Sequence, residues 1–115
     1  MEFPSEFPVE IPERLQDGAR YLPDGSGWVW HRADVLGVID ALQGSWVVIH
    51  SGEVYRLESW GWMPVGDGWV CEPIHGELAS GYAARSHGLA RDFIEERMDG
   101  DEWIRLVLSE QNDAA

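Results

Sequence analysis

The sequence predicts an α+β domain in which an antiparallel β-sheet, built from a meander and a C-terminal strand, packs with two main α-helices. Three observations predict this class. Apolar residues recur at three- and four-residue spacing in two segments, which is typical of helices. β-branched and aromatic residues are frequent in the stretch between them, residues 45–72. The length of 115 residues fits one domain, and a hydrophobic fraction of 44% is enough to form a core.

The chain opens with a short repeat that carries proline at every fourth position. Proline fixes φ and lacks an amide donor, so the repeat predicts an extended arm. Its apolar side chains Phe3, Phe7 and Ile11 either face a partner or pack on the domain. We expect three segments, namely a Pro-rich arm, a single α+β domain and a polar tail, over residues 1–12, 13–110 and 111–115.

Helices are predicted in three places. A short helical turn is expected over residues 13–17. The first main helix is expected over residues 32–43, where one apolar stripe is formed by Val35, Leu36, Ile39 and Leu42. The second main helix is expected over residues 78–98, and its interior glycines, Gly81 and Gly88, weaken it and allow a kink.

The stretch between the two main helices predicts an antiparallel meander. Tight turns are expected at Ser51–Gly52 and at Gly66–Gly68, because small and flexible residues suit turns. Residues 103–108 alternate well enough to add a closing strand. The meander itself is expected to have four short strands, over residues 46–50, 53–58, 60–65 and 68–72.

The charge of the chain excludes two classes of partner. Asp and Glu outnumber Arg by 21 to 8, and the formal net charge is −13. Nucleic-acid backbones and anionic membrane surfaces both need a cationic face, so neither is expected to bind directly. The longest apolar run, residues 46–49, is too short to span a bilayer, and no signal-like segment opens the chain. We expect a cytoplasmic protein.

Residues that would support catalysis or metal binding are sparse. The single cysteine, Cys71, excludes an internal disulfide, and the four histidines lack the spacing of a zinc site. The sequence also lacks a glycine-rich phosphate loop and a nucleophile motif. We therefore expect no catalytic residues, no cofactor and no metal.

Tryptophans provide a first candidate binding surface. The residues of each pair, Trp28 with Trp30 and Trp60 with Trp62, are two positions apart, so both share a face in an extended segment. Each pair forms either packed core or a binding platform. Three other tryptophans fall within predicted strands and are expected in the core, namely Trp46, Trp69 and Trp103.

Carboxylates provide a second candidate surface near the C-terminus. Such a run is usually a solvated face, and the sharper interpretation is a surface that steers and docks a basic partner. The residues concerned are Asp92, Glu95, Glu96, Asp99, Asp101, Glu102, Glu110 and Asp113.

Several short motifs occur in a fixed order, namely Ile11-Pro12-Glu13, Trp30, the segment 49–55, Trp69-Val70-Cys71, Arg85-Ser86, Asp92-Phe93-Ile94 and residues 103–108. Together they resemble the Immunity protein 40 family of bacterial polymorphic toxin systems, over about residues 11–108. Ser51-Gly52-Glu53-Val54-Tyr55 is similar to the family's Gly-Gly-Asp-Val-Tyr element, with a longer acid here. The resemblance implies a non-enzymatic protein that binds and neutralises a cognate toxin inside the producing cell.

The acidic balance favours a basic toxin, such as a nuclease, as the partner. Because loops often carry binding residues, we expect contacts on the predicted hairpin and the loop after it, from Glu53, Tyr55, Asp67 and Trp69. Steering charges are expected from Glu95, Glu96, Asp99 and Asp101. Two other functions stay open. One is a nucleic-acid mimic with carboxylates spaced like phosphates, and the other is a small enzyme that uses His50, His75 or His87 with a nearby carboxylate.

Overall fold

The computed structural model describes residues 10–97 and 101–110, and it confirms the α+β class. In those residues a five-stranded antiparallel sheet packs with helices. The helices are α1 (Glu13–Asp17), α2 (Arg32–Leu42) and α3 (Ala79–Glu96). The strands are β1 (Arg20–Tyr21), β2 (Trp28–His31), β3 (Val47–Glu58), β4 (Gly61–Val70) and β5 (Glu102–Glu110).

The strand that comes last in the described sequence lies at the centre of the sheet. The order across the sheet is β1-β2-β5-β3-β4. Ile104 of β5 pairs with Trp30 of β2 on one side and with Val54 of β3 on the other. β5 therefore joins a short ladder, β1–β2, to a long one, β3–β4.

The main core lies between the helices and one face of the sheet. Trp30 is fully buried there, and its indole Nε1 donates to the carbonyl oxygen of Leu15 at 2.8 Å, which ties α1 to the sheet. Ile11, at the end of the predicted arm, is also buried, whereas Phe3 and Phe7 lie outside the described residues. The helical contribution to this core comes from Leu15, Val35, Val38, Ile39, Leu42, Ala90 and Ile94.

The prediction of four short strands over residues 46–72 was wrong. β3 is unbroken from Val47 to Glu58, and its Ser51–Gly52 segment pairs with β4 instead of forming a turn. β4 likewise continues through the predicted turn at Gly66–Gly68. Gly66 has a φ of +86°, and the register shifts where this segment faces β3. These turn-like residues therefore form a bulge within a long strand.

Gly52 is a glycine because an aromatic ring lies on it. A Cβ atom at this position would overlap the indole ring of Trp69, its neighbour on β4. The same indole packs against Phe93 of α3, with ring centroids 4.7 Å apart. A close approach between strand and ring, and not a turn, therefore accounts for this glycine.

The tryptophans divide between the core and the surface. Trp28 and Trp30 share the helix-covered face, as their spacing predicted. The expectation for Trp46 was wrong, because it precedes β3 and is 40% exposed. Trp60 lies in the turn between β3 and β4 and is 69% exposed. The other three, Trp62, Trp69 and Trp103, are half-buried.

α3 is unbroken through its interior glycines and completes the edge of β3. β4 ends opposite Ser51, so the first residues of β3 have no neighbouring strand on that side. There, Ser86 Oγ accepts from the amide of Ile49 at 3.0 Å. The ring Nε2 of His87 lies 2.7 Å from the carbonyl oxygen of Val47. Backbone groups that lack a strand partner are thus satisfied by side chains of α3.

Candidate functional site

The face of the sheet opposite the main core forms the candidate site, and we call it the open face. Alternation along the strands directs Glu53 and Tyr55 of β3, and Trp103 and Arg105 of β5, to this side. Most of the buried residues of the three described helices belong to the main core on the other side. A small apolar cluster on the open face consists of Leu22, Val29 and Tyr55, with Trp62 and Trp103 packed against it.

Aromatic rings form a row across the open face. Trp62 and Trp103 meet edge to face, with centroids 5.2 Å apart and planes at 85°. His31 meets the Trp103 ring at the same centroid distance and an angle of 84°. The guanidinium carbon of Arg20 lies 5.9 Å from the centroid of the Trp103 ring, within the range of a cation–π contact. The middle ring of the aromatic row, Trp103, therefore already contacts a cation from the chain itself.

A pocket of about 330 Å³ opens at the Trp62 end of the row, between the β1–β2 loop and the turn of the β3–β4 hairpin. We call it the tip pocket. Its walls include Leu22, Asp24, Tyr55, Trp60, Trp62 and Pro64. A second depression of about 420 Å³ lies at the hairpin edge and is lined by His31, Arg56, Leu57, Glu58, Asp101 and Trp103. Exposed apolar groups at the hairpin turn include Leu57, at 51%, and Trp60.

A polar network on the open face fixes Glu53. Its Oε1 accepts from the Tyr55 hydroxyl at 3.0 Å and from Nη2 of Arg105 at 3.2 Å. Arg105 also donates to the carbonyl oxygen of Ser26 at 3.1 Å. Burial, and then the hydrogen bond with Glu53, raise the pKa of Tyr55, so this hydroxyl stays protonated and acts as a donor.

The carboxylate at the tip pocket is held in its ionised form. Asp24 is exposed, and its Oδ1 accepts from the amide of Ser26 at 2.9 Å. Hydrogen bonds from Ser26 lower the pKa of Asp24. The pocket therefore combines aromatic walls with one fixed negative charge.

Two of the predicted contact residues lie on the open face and two on the opposite side. Glu53 and Tyr55 are on the open face. Trp69 is directed towards α3 and packs on Phe93 and Gly52, and Asp67 accepts a hydrogen bond from Arg97 just after α3. The structure thus does not bring these four residues together.

The predicted steering charges are also divided. Glu95 and Glu96 are exposed at the end of α3, and Glu95 forms an ion pair with Arg91 at 3.3 Å. Asp101 is exposed beside the open face, with its carboxylate 4.0 Å from Nε2 of His31. Asp99 lies outside the described residues. The sequence did not point to Arg20 or Asp24, although the Trp60-Gly61-Trp62 spacing did indicate a possible platform.

Three of the four histidines, namely His31, His50 and His87, have hydrogen-bonding partners, but these partners do not form a shared site. His31 Nδ1 accepts from the amide of Ala33 and so caps α2, while His87 bonds β3. His50 Nδ1 lies 3.0 Å from the Tyr82 hydroxyl. That hydroxyl donates its proton to the carbonyl oxygen of Cys71 at 2.7 Å, so it accepts from His50. These three rings lie in separate places in the fold.

A polar cluster that includes Glu77 and Arg85 lies around Cys71. Burial raises the pKa of the Cys71 thiol, which opposes formation of a nucleophilic thiolate. The carboxylate of Glu77 accepts two hydrogen bonds from Arg85, both at 2.8 Å, and the bonding to Arg85 lowers its pKa. Within residues 10–97 and 101–110, no group of three His, Cys, Asp or Glu side chains is arranged to hold a metal ion. No helix in those residues is long and apolar enough to cross a membrane.

Comparison with known proteins gives one match. A family model described as Immunity protein 40 matches residues 20–108, which confirms the family expected from the motifs. The matched span begins at β1 and ends within β5, so it includes the strands that form the open face. No curated protein and no solved structure matches the chain.

Proposed function

Because the chain belongs to the Immunity protein 40 family, we propose that it binds a cognate toxin in the cytoplasm of the producing cell and neutralises it by stoichiometric binding, without catalysis. The observation that carries this proposal is the family match, which extends from β1 into β5. The open face supports it, since exposed aromatic groups flanked by carboxylates are typical of interface anchors.

We further propose that the toxin is basic, and a nuclease-type toxin is the leading candidate. The support is the formal net charge of −13. Charges of opposite sign speed the encounter of two proteins at low ionic strength, and salt screens that attraction. Such steering acts over distance, so exposed acids contribute even where they do not touch the partner.

The structure suggests different roles for the predicted contact residues. Glu53 and Tyr55 are proposed as contacts on the open face, with Asp101 as a charge at its edge. Trp69 is proposed to act indirectly, by holding Gly52 and Phe93 in place. The charges proposed to steer the partner from other parts of the surface are Asp67, Glu95, Glu96 and Asp99.

We expect the gene beside this one to encode the toxin, and the first experiment is co-expression of the two. We expect the protein to restore growth and to form a complex with the toxin at a fixed ratio. Toxin activity should then fall in proportion to added protein and reach zero at the ratio of the complex. A folded protein that fails to restore growth would contradict the proposal.

Titration of toxin activity with added protein also distinguishes the proposed function from the two alternatives. An enzyme would inactivate toxin at ratios far below the stoichiometric one. A nucleic-acid mimic would also inhibit unrelated DNA- or RNA-binding enzymes, whereas an immunity protein inhibits its own toxin. Inhibition confined to the cognate toxin and complete at the stoichiometric ratio supports our proposal over both.

The electrostatic part of the proposal is tested by the association rate. Replacement of Glu95 and Glu96 by Gln should slow toxin association several-fold at low salt, and less at high salt. The matched control, E13Q with D17N on α1, removes the same charge from another exposed region. Rates that are independent of salt and equal in the two double variants would contradict steering from the end of α3.

A further inference from the structure

We propose that the tip pocket receives an arginine side chain of the basic partner, stacked against Trp60 and Trp62 and paired with Asp24. This inference rests on the proposed function and deepens it by naming the chemical group that is recognised. It concerns a surface for which the family match assigns no role.

The first support is the chemistry of the pocket wall. Trp60 and Trp62 offer aromatic faces, and Pro64 and Leu22 add apolar surface. Asp24 is the one charged residue among the described residues that line it. An aromatic surface attracts a cation through its negative π-face, and a fixed carboxylate adds direct pairing. Such a pocket favours a flat cation over an anion or a purely apolar group.

The second support is a guanidinium that the same aromatic row already binds. Arg20 lies over the Trp103 ring, and Trp103 meets Trp62 edge to face. Trp62 also lines the tip pocket. The row therefore has a cation from the chain on its middle ring and a pocket of about 330 Å³ beside the neighbouring ring, Trp62.

Exposure and charge favour arginine from a partner as the occupant. Trp60 is 69% exposed and lies beside the exposed Leu57 at the hairpin turn, so a partner can reach the aromatic wall of the pocket. A chain with a net charge of −13 attracts basic proteins. Arginine suits the pocket better than lysine, because its planar and weakly hydrated guanidinium stacks on rings and bonds carboxylates in a fork.

The first test measures toxin affinity for single-residue variants of the full chain. Trp60→Ala should weaken binding by about 30-fold, as is typical of an interface anchor. Asp24→Asn should weaken it by a smaller factor. Trp46→Ala is the matched control, because Trp46 is also exposed but does not line the tip pocket, and it should leave affinity unchanged. Unfolding curves check that each variant is folded.

The second test needs no toxin. Blocked tripeptides, acetyl-Gly-Arg-Gly-amide and its Lys and Glu counterparts, are titrated into the protein while the indole N–H signals are followed by NMR. The arginine peptide should shift the signals of Trp60 and Trp62 more than that of Trp46. The lysine peptide should give a weaker shift at the same positions, and the glutamate peptide should give none.

The outcomes separate this inference from the proposed function. If the wild-type protein binds toxin and both tip-pocket variants bind equally well, the pocket proposal is overturned and the function stands. If the arginine peptide shifts the pocket signals but toxin does not bind, the function fails and the arginine pocket stands. Equal shifts at Trp46 and Trp60, or an equal response to lysine, overturn the arginine assignment.

Discussion

The two faces of the sheet carry the same residue types, but these residues have different roles on each face. Each face has an Arg–Glu pair, namely Arg97–Glu102 on the covered side and Arg105–Glu53 on the open side. The two arginine side chains are similarly exposed, at 21% and 22%, but Glu102 is 4% exposed and Glu53 is 37% exposed. Burial of the carboxylate therefore decides whether such a pair stabilises the fold or stays available to a partner. The tryptophans show a similar contrast, since Trp30 in the main core is 1% exposed and Trp60 at the hairpin turn is 69% exposed.

The largest effect is expected at the contact between Gly52 and Trp69. Gly52→Ala puts a Cβ against the indole, which is itself packed on Phe93, so the ring must move. We expect a loss of about 3 kcal/mol in the free energy of unfolding, measured by urea denaturation.

The matched control for this change is Gly88→Ala in α3, where a Cβ meets nothing within 4 Å. Alanine is the better helix former, so the control should gain about 0.5–1 kcal/mol. Equal effects of the two changes would mean that backbone flexibility, and not the Trp69 contact, explains Gly52.

The next largest effect on stability is expected when the two ion pairs are broken in turn. Glu102 accepts from Nε and Nη2 of Arg97 at 2.8–3.1 Å while almost fully buried. Glu102→Ala removes one partner of a buried pair and should cost about 2 kcal/mol. Glu53→Ala should cost less than about 1 kcal/mol, because that pair is partly in water. If urea denaturation shows equal losses of unfolding free energy for the two variants, the proposed contrast between the faces is wrong.

A smaller effect is expected from the two tyrosines. Tyr82→Phe removes a hydroxyl bonded to Cys71 and His50 in the interior, and should cost about 1 kcal/mol at neutral pH. Tyr55→Phe removes the hydroxyl that donates to Glu53 at the open face, and should cost about half as much.

The same variants test the pH dependence. Burial raises the pKa of both tyrosines above 10.0 in the folded protein. The folded state thus binds the phenolic proton more tightly than the unfolded chain does. The stability that each tyrosine contributes in this way is therefore complete below the ordinary tyrosine pKa of 10.0, and it is lost as the pH rises through the folded pKa. Unfolding curves at increasing alkaline pH should show that the free energy of unfolding falls less for each Phe variant than for the wild type. An unchanged loss in Tyr82→Phe would contradict this assignment.

The smallest stability effect is expected at the tip pocket. Trp60→Ala should change the free energy of unfolding by less than about 0.5 kcal/mol, because its side chain is mostly in water. This near-zero change, set against a large loss of toxin affinity, would give the clearest contrast between the two faces. A large destabilisation would instead place Trp60 among the residues that hold the fold.

Local patterns predicted the helices well. The apolar stripe of the first main helix predicted α2 to within one residue, since its period depends only on neighbouring residues. The strand ends were harder to predict. Ser51–Gly52 has the composition of a turn, and only the later Trp69, seventeen positions along the chain from Gly52, shows that the glycine is needed for a close contact.

The site was predicted only in part, because it depends on which face each residue takes. All four contact residues were predicted because they fall on a hairpin and a loop. Glu53 and Tyr55 do share a face, but the bulge in β4 shifts the register, and Asp67 and Trp69 lie on the other side. The contact of Arg20 with Trp103 depends on the order of strands, which local sequence patterns do not specify.

The central position of β5 has a consequence for how the protein is made. The ladders β1–β2 and β3–β4 emerge from the ribosome first, and they have no shared strand until residues 102–110 follow. Until then the edges of β2 and β3 that later pair with β5 lack their partner, and the long-range pairing that slows folding is still to come. We therefore expect a nascent chain stalled before Glu102 to be sensitive to protease and prone to bind chaperones. The five-stranded sheet can therefore form only after β5 has been synthesised.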